Sequence, residues 1–179
     1  MTIETLAKQG LETHHKGLAS IDSSKLKQMR NIGLRSCFAR MDEMHYHREF
    51  VAKIHGKTFI NDAAARSSKA TWYTLESAEG KLIWIANGGG KSEEYDIIKN
   101  SARGKIQVLY CLGRDSASLH KAFDGIIPSI EEVDSLRTAV NKALYNDVEN
   151  ATIIFSPAQE NGLSCEVQGT EFTYEVNEL

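Results

Sequence analysis

The sequence lacks the features of several protein classes. None of its apolar runs approaches the roughly 20 residues of a membrane-spanning helix, and no basic segment followed by an apolar one opens the chain, so neither a span nor a signal peptide is predicted. The net charge of −3 supplies no basic field for nucleic acid or a membrane surface. The three cysteines are widely spaced and no Cys-x-x-Cys or His-Glu-x-x-His motif occurs. We therefore expect a cytoplasmic protein with reduced thiols, no metal site, no nucleic-acid partner and no membrane partner.

Proline is also scarce, and neither of its two occurrences marks a linker. A chain of 179 residues with 41% apolar and 25% charged residues is long enough for one domain with a core and a small extension. Apolar residues recur at helical spacing before residue 46, so residues 1–46 are predicted to form a helical N-terminal extension. The pattern changes near residue 47, and residues 47–179 are predicted to form an α/β domain.

The pattern of that domain predicts a β-hairpin followed by alternating strands and helices. Two short alternating runs flank His55 and Gly56, which is typical of a hairpin. Strands rich in Ile, Val and Leu that alternate with helices favour a three-layer, mostly parallel sheet covered on both faces. Strands are predicted at 81–86, 105–112 and 151–156, with a weaker one at 125–130; helices are predicted at 67–79, 92–102, 115–123 and 131–146.

A glycine-rich turn, "IANGGGKS", follows the strand at 81–86. It does not match a P-loop, because the first glycine of Gly-x-x-x-x-Gly-Lys-Ser/Thr would fall at Ile85, inside the strand. The dinucleotide motif Gly-x-Gly-x-x-Gly is not matched either, since Gly88, Gly89 and Gly90 are contiguous. The turn lies at the carboxyl end of a parallel strand, where ligands bind in such sheets. An anion site formed by Lys91 and a helix N-terminus, or a plain tight turn, are both compatible with these residues.

Four ordered segments of residues 45–179 share a pattern with a known family. The segments are "HREFVAKIHGKTFINDAAARS", "IWIANGGGKSEEYD", "QVLYCLGRDSASL" and "IIFSPAQENG" with a later Gly-x-x-Phe. Together they resemble the C-terminal domain of the Mur ligases, and most of all that of the D-glutamate-adding members. The resemblance implies a Rossmann-like domain that binds an incoming amino acid in an ATP-dependent peptide ligase of peptidoglycan synthesis.

The resemblance also implies roles for individual residues. Arg48 matches an arginine that approaches the nucleotide phosphates, and Asp62 matches an aspartate near the ribose. Lys91 matches the lysine that pairs with a carboxylate of the amino-acid substrate, D-glutamate or a similar compound. Asn161 is a candidate hydrogen-bond donor to that carboxylate. No catalytic residue and no metal ligand is predicted.

Two departures from the family pattern bear on catalysis. After Asn61 and Asp62, Ala64 stands where the family has a lysine and Arg66 where it has a threonine, although both family side chains serve the active site. A P-loop and magnesium ligands are absent from the sequence, and phosphoryl transfer needs a phosphate cradle and a metal clamp. ATP and magnesium are therefore expected only together with a partner P-loop domain, and the chain alone is not expected to be active. The alternative is a non-catalytic relative that acts as a ligand-binding or interaction module.

Overall fold

A computed structural model describes residues 45–113 and 115–179. The predicted helical extension at 1–46 lies almost entirely outside the described residues, so it stays a prediction. The described part contains six strands and five α-helices. The strands are β1 (Glu49–Ile54), β2 (Lys57–Asn61), β3 (Leu82–Asn87), β4 (Ile106–Leu112), β5 (Ser129–Val133) and β6 (Thr152–Phe155). The helices are α1 (Ser68–Ser77), α2 (Asp96–Ala102), α3 (Ala117–Phe123), α4 (Leu136–Leu144) and α5 (Cys165–Asn177).

The strands form one sheet in the order β1-β2-β6-β3-β4-β5. β1 is antiparallel to β2, and every other neighbouring pair is parallel. The hairpin turn has positive φ at both central residues, His55 and Gly56 (φ 49° and 80°), the geometry that matches the twist of paired strands. The predicted leading hairpin and mostly parallel sheet are confirmed.

The sheet is covered by helices on both faces because side chains alternate along each strand. Ile83 and Ile85 of β3 face a core with α4 and α5. Leu82, Trp84 and Ala86 face a second core with α1, α2 and α3. All six residues of β3 are buried, as expected of a central strand in a three-layer α/β fold.

The boundaries near residue 130 differ from the prediction. β5 covers Ser129–Val133 rather than 125–130, and α4 begins at Leu136 rather than at 131. The misleading signal was Val133, which is buried in the strand but also fits the helical spacing of Leu136, Val140 and Leu144. The helix begins after Ser135, whose Oγ accepts a hydrogen bond from the backbone N–H of Thr138, a typical N-cap.

Two further elements differ from the predicted ones. The helix predicted at 92–102 begins with a 3₁₀ turn, Ser92–Tyr95, and becomes α-helical only at Asp96. The C-terminal helix α5 was not predicted. In the described residues, every helix is too short or too polar to cross a membrane.

Candidate functional site

Polar residues collect at the edge of the sheet where the parallel strands end. Asn61 and Asp62 close β2, Asn87 closes β3, and Ser156 follows β6. β6 lies between β2 and β3, so these strand ends adjoin one another. Ligands of open α/β sheets bind at this edge, and the predicted site residues follow these strands or lie next to them.

Asp62 is the centre of a buried hydrogen-bond network. It has no exposed surface, and both of its carboxylate oxygens accept hydrogen bonds. The backbone N–H of Arg48 donates to Oδ1 at 3.2 Å and Ser156 Oγ donates to Oδ2 at 2.8 Å. Ser156 Oγ is also 2.8 Å from the hydroxyl of Thr71 on α1. The network therefore joins the start of the hairpin, the end of β6 and α1.

The environment of Asp62 disfavours its charged form. Burial raises the pKa of Asp62 to about 7, although the hydrogen bond from Ser156 and the proximity of Arg48 act in the opposite direction. The imidazole ring of His47 lies beside this carboxyl group, with Nδ1 4.0 Å from Oδ1 of Asp62. The carboxyl group of Asp62 therefore changes its charge near neutral pH.

Arg48 is held in an uncommon backbone conformation, with φ of 51°. This left-handed region is rarely adopted by residues other than glycine, asparagine and aspartate. The bond from its N–H to Asp62 stabilises that conformation. Its guanidinium carbon lies 5.5 Å from the centre of the Tyr73 ring on α1, a cation–π contact. The predicted pair Arg48 and Asp62 is thus in direct contact.

The glycine turn packs tightly against the loop after β4. The N–H of Gly88 donates to Leu112 O at 2.9 Å and the N–H of Gly89 donates to Asp115 O at 2.6 Å. A Cβ on Gly88 would lie 2.4 Å from Asp115 O, so only glycine fits there. The first two amides of the turn are therefore used within the fold. Lys91 is exposed and precedes the 3₁₀ turn.

A cavity of about 340 Å³ opens beside this turn, at the carboxyl ends of β3, β4 and β5. Its lining includes Asn161, one of the four predicted site residues, and three carboxylates, Asp115, Asp134 and Glu171. Lys91 is not part of the described lining. The cavity is of the size that small-molecule sites typically have.

The loop of residues 159–164 forms one wall of the cavity and is held from two sides. Asn87 Nδ2 donates to Gln159 O at 3.1 Å, and Gln168 Nε2 donates to Asn87 Oδ1 at 3.2 Å. From the other side, Arg66 Nη2 donates to Leu163 O at 3.0 Å. The cavity wall is therefore bonded to β3 and to the segment after β2, and Gln168 of α5 holds the side chain of Asn87 in place.

Several residues of this edge did not emerge from the sequence as site residues. Ser156 was visible only as part of the Ser-Pro-Ala segment, and Asn87 only as the residue before the glycines. Thr71 and Gln168 carry no sequence signal, because a threonine or a glutamine in a helix is ordinary. In the described residues, no group of three or more His, Cys, Asp or Glu side chains is arranged to hold a metal ion.

Comparison with known proteins identifies the relatives of this chain. A UDP-N-acetylmuramoylalanine–D-glutamate ligase of Porphyromonas gingivalis is 32% identical over 158 residues, which are 88% of this chain and 35% of that protein. The protein of the same name from Bacteroides fragilis is 29% identical over 183 residues, covering 100% of this chain and 41% of that protein. The chain is a relative of the Mur ligases. It spans well under half the length of these relatives. No family model matches it.

The fold agrees with that of a solved Mur ligase. The crystal structure of UDP-N-acetylmuramate-alanine ligase MurC from Thermotoga maritima superposes with a TM-score of 0.50 at 11% identity, over 75% of this chain and 30% of that one. At this identity the match shows the fold alone. The resemblance to the Mur ligases predicted from the sequence is confirmed, and so is the α/β fold class.

Proposed function

We propose that residues 45–179 act as the amino-acid-binding, C-terminal domain of an ATP-dependent peptide ligase of the D-glutamate-adding type in peptidoglycan synthesis. The observation that carries the proposal is the 340 Å³ cavity at the carboxyl edge of the sheet, in a chain aligned over 88% of its length with a protein of that name. The cavity holds Asn161 in its wall and lies beside the turn that precedes Lys91. In this proposal both side chains bind a carboxylate of the amino acid, D-glutamate or a similar compound.

Arg48 and Asp62 are proposed to serve the nucleotide. The guanidinium of Arg48 offers forked donors suited to phosphates. The carboxylate of Asp62 fixes the backbone of Arg48 by accepting a hydrogen bond from the N–H of Arg48. Asp62 is proposed to lie near the ribose. Because no described carboxylate cluster is arranged to hold a metal, magnesium is proposed to come with ATP on a P-loop domain supplied by another chain or by further sequence. ATP bound there would activate the carboxylate to which the amino acid is joined.

A non-catalytic binding module is the second candidate, and the segment after Asp62 favours it. Ala63 and Ala65 are completely buried, and Ala64 replaces a lysine of the family pattern. These residues pack the fold and supply no polar group to the edge of the sheet. Such a module would keep the cavity but would have lost the family's preference for an acidic amino acid.

Titration of the ¹⁵N-labelled chain with D-glutamate tests the proposal. We expect the amide signals of residues 87–93 and of Asn161 to move, with a dissociation constant of roughly millimolar magnitude, since a few exposed charge contacts are worth little each. Lys91→Gln should weaken binding several-fold through the loss of one charge-assisted contact.

The matched control is Lys81→Gln, which removes an exposed lysine just before β3, at the opposite edge of the sheet. It should leave the dissociation constant unchanged. If residues 87–93 and Asn161 stay unmoved at every concentration of D-glutamate while a different region responds, the proposed site is wrong. Unmoved signals throughout the chain would favour the second candidate.

A further inference from the structure

Gln168 is a buried polar side chain in the wall of the cavity, and it was not among the predicted site residues. It lies on α5, is 2% exposed and contributes to the lining. Its side-chain amide pairs with that of Asn87: Nε2 donates to Asn87 Oδ1 at 3.2 Å, and Asn87 Nδ2 donates to Gln168 Oε1 at 3.5 Å. Asn87 also donates to Gln159 O at 3.1 Å. The end of β3 therefore fixes the orientation of the Gln168 amide.

The amide of Gln168 keeps bonding capacity for a ligand. A primary amide has two N–H donors and an oxygen that accepts two hydrogen bonds. Within the described residues, Nε2 makes one hydrogen bond and Oε1 accepts one long one. The second N–H of Nε2 has no acceptor in this part of the chain, although a donor in so buried a place normally has a partner. An oxygen of a ligand in the cavity can accept this N–H.

Three carboxylates line the same cavity. Asp115 follows β4, Asp134 follows β5, and Glu171 lies three residues after Gln168 on α5, which places the last two on the same side of the helix. An ionised carboxylate accepts hydrogen bonds and cannot donate them. These three side chains therefore favour N–H groups of a ligand and repel a second carboxylate.

One free donor beside three acceptors distinguishes among the groups that end an amino-acid side chain. A carboxylate brings no donor and is repelled by the acidic lining. An ammonium group brings donors only, so the second N–H of Gln168 would stay unpaired. A primary amide brings both an oxygen for Gln168 and two N–H donors for the carboxylates. It is also uncharged, so the acidic lining does not repel it.

We propose that the cavity selects an amino acid whose side chain ends in a primary amide. Gln168 donates to the amide oxygen, and the carboxylates of the lining accept from the amide N–H groups. This inference rests on the proposed function, since it takes as the occupant an amino acid whose own carboxylate is bound by Lys91 and Asn161. It deepens that function by naming the class of amino acid, and it makes Gln168 a specificity-determining residue.

Three amino acids with side chains of equal length test this selection by titration of the full ¹⁵N-labelled chain. D-Glutamine ends in an amide, D-glutamate in a carboxylate and D-ornithine in an ammonium group. D-Glutamine should bind about 3–10-fold more tightly than the other two, because contacts at so open a site are worth little each. The side-chain Nε2 signals of Gln168 should shift on addition of D-glutamine, with the same dissociation constant as the Asn161 amide. Equal or tighter binding of D-glutamate or D-ornithine would overturn the proposal.

Variants separate the acceptors from the donor. Glu171→Gln should tighten the binding of D-glutamate about 2–5-fold, because it removes one exposed like charge, and the preference for the amide should shrink. Gln168→Glu replaces the donor by an acceptor and should shift the preference from D-glutamine toward D-ornithine roughly 10-fold. Should Gln168→Glu fail to fold, the Nε2 signals of the wild type test the same contact. The control is Glu79→Gln, which changes an exposed glutamate just before β3 and should leave all three dissociation constants unchanged.

The outcomes distinguish this inference from the proposed function. If D-glutamate moves the amides of residues 87–93 and Asn161 at lower concentration than D-glutamine does, while the Nε2 signals of Gln168 stay fixed, the proposed function stands and the selection of an amide is wrong. If none of the three amino acids moves these signals, both proposals fail.

Discussion

A single buried carboxyl group links the candidate site to the stability of the fold. Asp62 is completely buried, and burying a charged group is costly unless it is paired. The hydrogen bonds from the Ser156 hydroxyl and from the backbone N–H of Arg48 offset only part of the cost of burying the charged carboxylate. The result is a carboxyl group whose pKa burial raises to about 7, against about 3.9 in an unfolded chain.

Asp62→Asn should remove a pH dependence of stability. Between about pH 4 and 7 the folded state binds a proton at Asp62 that the unfolded state has released, so the free energy of unfolding falls as pH rises through this range. Each unit of pKa difference corresponds to about 1.4 kcal/mol, hence roughly 4 kcal/mol in total. Urea denaturation at several pH values should show this decline in the wild type and a flatter profile in Asp62→Asn.

Two controls isolate the effect of Asp62. Asp124→Asn changes an exposed aspartate and should keep the decline of the wild type. His47→Gln removes the neighbouring ring, and the flattening caused by Asp62→Asn must persist in that background. Equal slopes for the wild type and Asp62→Asn would show that this carboxyl group does not titrate in that range.

At this scale the sequence identified two contacting residues and missed the rest of their network. The roles of Arg48 and Asp62 were predicted from the resemblance to the Mur ligases, and the structure brings these two residues into contact. The position of Arg66 beside Leu163 could not be predicted, because it depends on how the segments after β2 and β6 pair across 97 positions of sequence. Ser156 and Thr71 contact each other across 85 positions, again through the sheet.

Helix α5 was not predicted because its sequence lacks the usual signals of a helix. Its inward face includes Gln168 and Gly169, whereas Val167 and Tyr174 are exposed. The apolar stripe at helical spacing is therefore short, consisting of Phe172 and Val176, and a central glycine disfavours a helix. Gly169 is explained by close packing: Asn61 Nδ2 donates to its carbonyl at 2.8 Å, and the Tyr46 ring lies where a Cβ would be.

Gly169→Ala should reverse the usual effect of this substitution. In an open helix the change stabilises by about 1 kcal/mol. Here the new Cβ would lie 2.5 Å from two ring atoms of Tyr46, and displacing the ring also strains the contact of its hydroxyl with Thr170, now 3.0 Å. We expect the free energy of unfolding to fall by about 1–3 kcal/mol, measured by urea denaturation.

The same substitution in the Tyr46→Ala background provides the control. Without the ring, Gly169→Ala should stabilise the protein by a few tenths of a kcal/mol to about 1 kcal/mol. The expected result is thus a change of sign between the two backgrounds. A destabilisation of equal size in both would locate the cause elsewhere than at Tyr46.

On the scale of the whole described domain, the last strand joins the parts together. β6 lies between β2 and β3, so the hairpin reaches the rest of the sheet only through a strand that comes much later in the chain. Periodicity indicated the individual strands but not their order, because the order depends on which crossovers bury both faces. The two cores share the sheet, so they should be lost together.

Two buried side chains in the middle of the sheet can report on that cooperativity. Cys111 lies on β4, opposite Ala86 of β3 and Glu132 of β5, and is completely buried. Burial raises the pKa of its thiol to about 12, so the reactive thiolate is absent from the folded state near neutral pH. Trp84 on β3 belongs to the same core and packs edge-on against Phe123, with ring centres 5.4 Å apart. Thiol reactivity and tryptophan fluorescence therefore probe one core by independent means.

In a Cys37→Ser, Cys165→Ser background, labelling of Cys111 by a thiol reagent should require helices α1, α2 and α3 to leave the sheet, because the thiol lies in the core between these helices and the sheet. Where labelling follows the equilibrium population of the open form, the free energy of opening should equal the free energy of unfolding measured by tryptophan fluorescence. Labelling that needs several kcal/mol less than global unfolding would show that this layer of helices opens while the sheet and the core with α4 and α5 stay folded. The described domain would then unfold in two steps, one for each core.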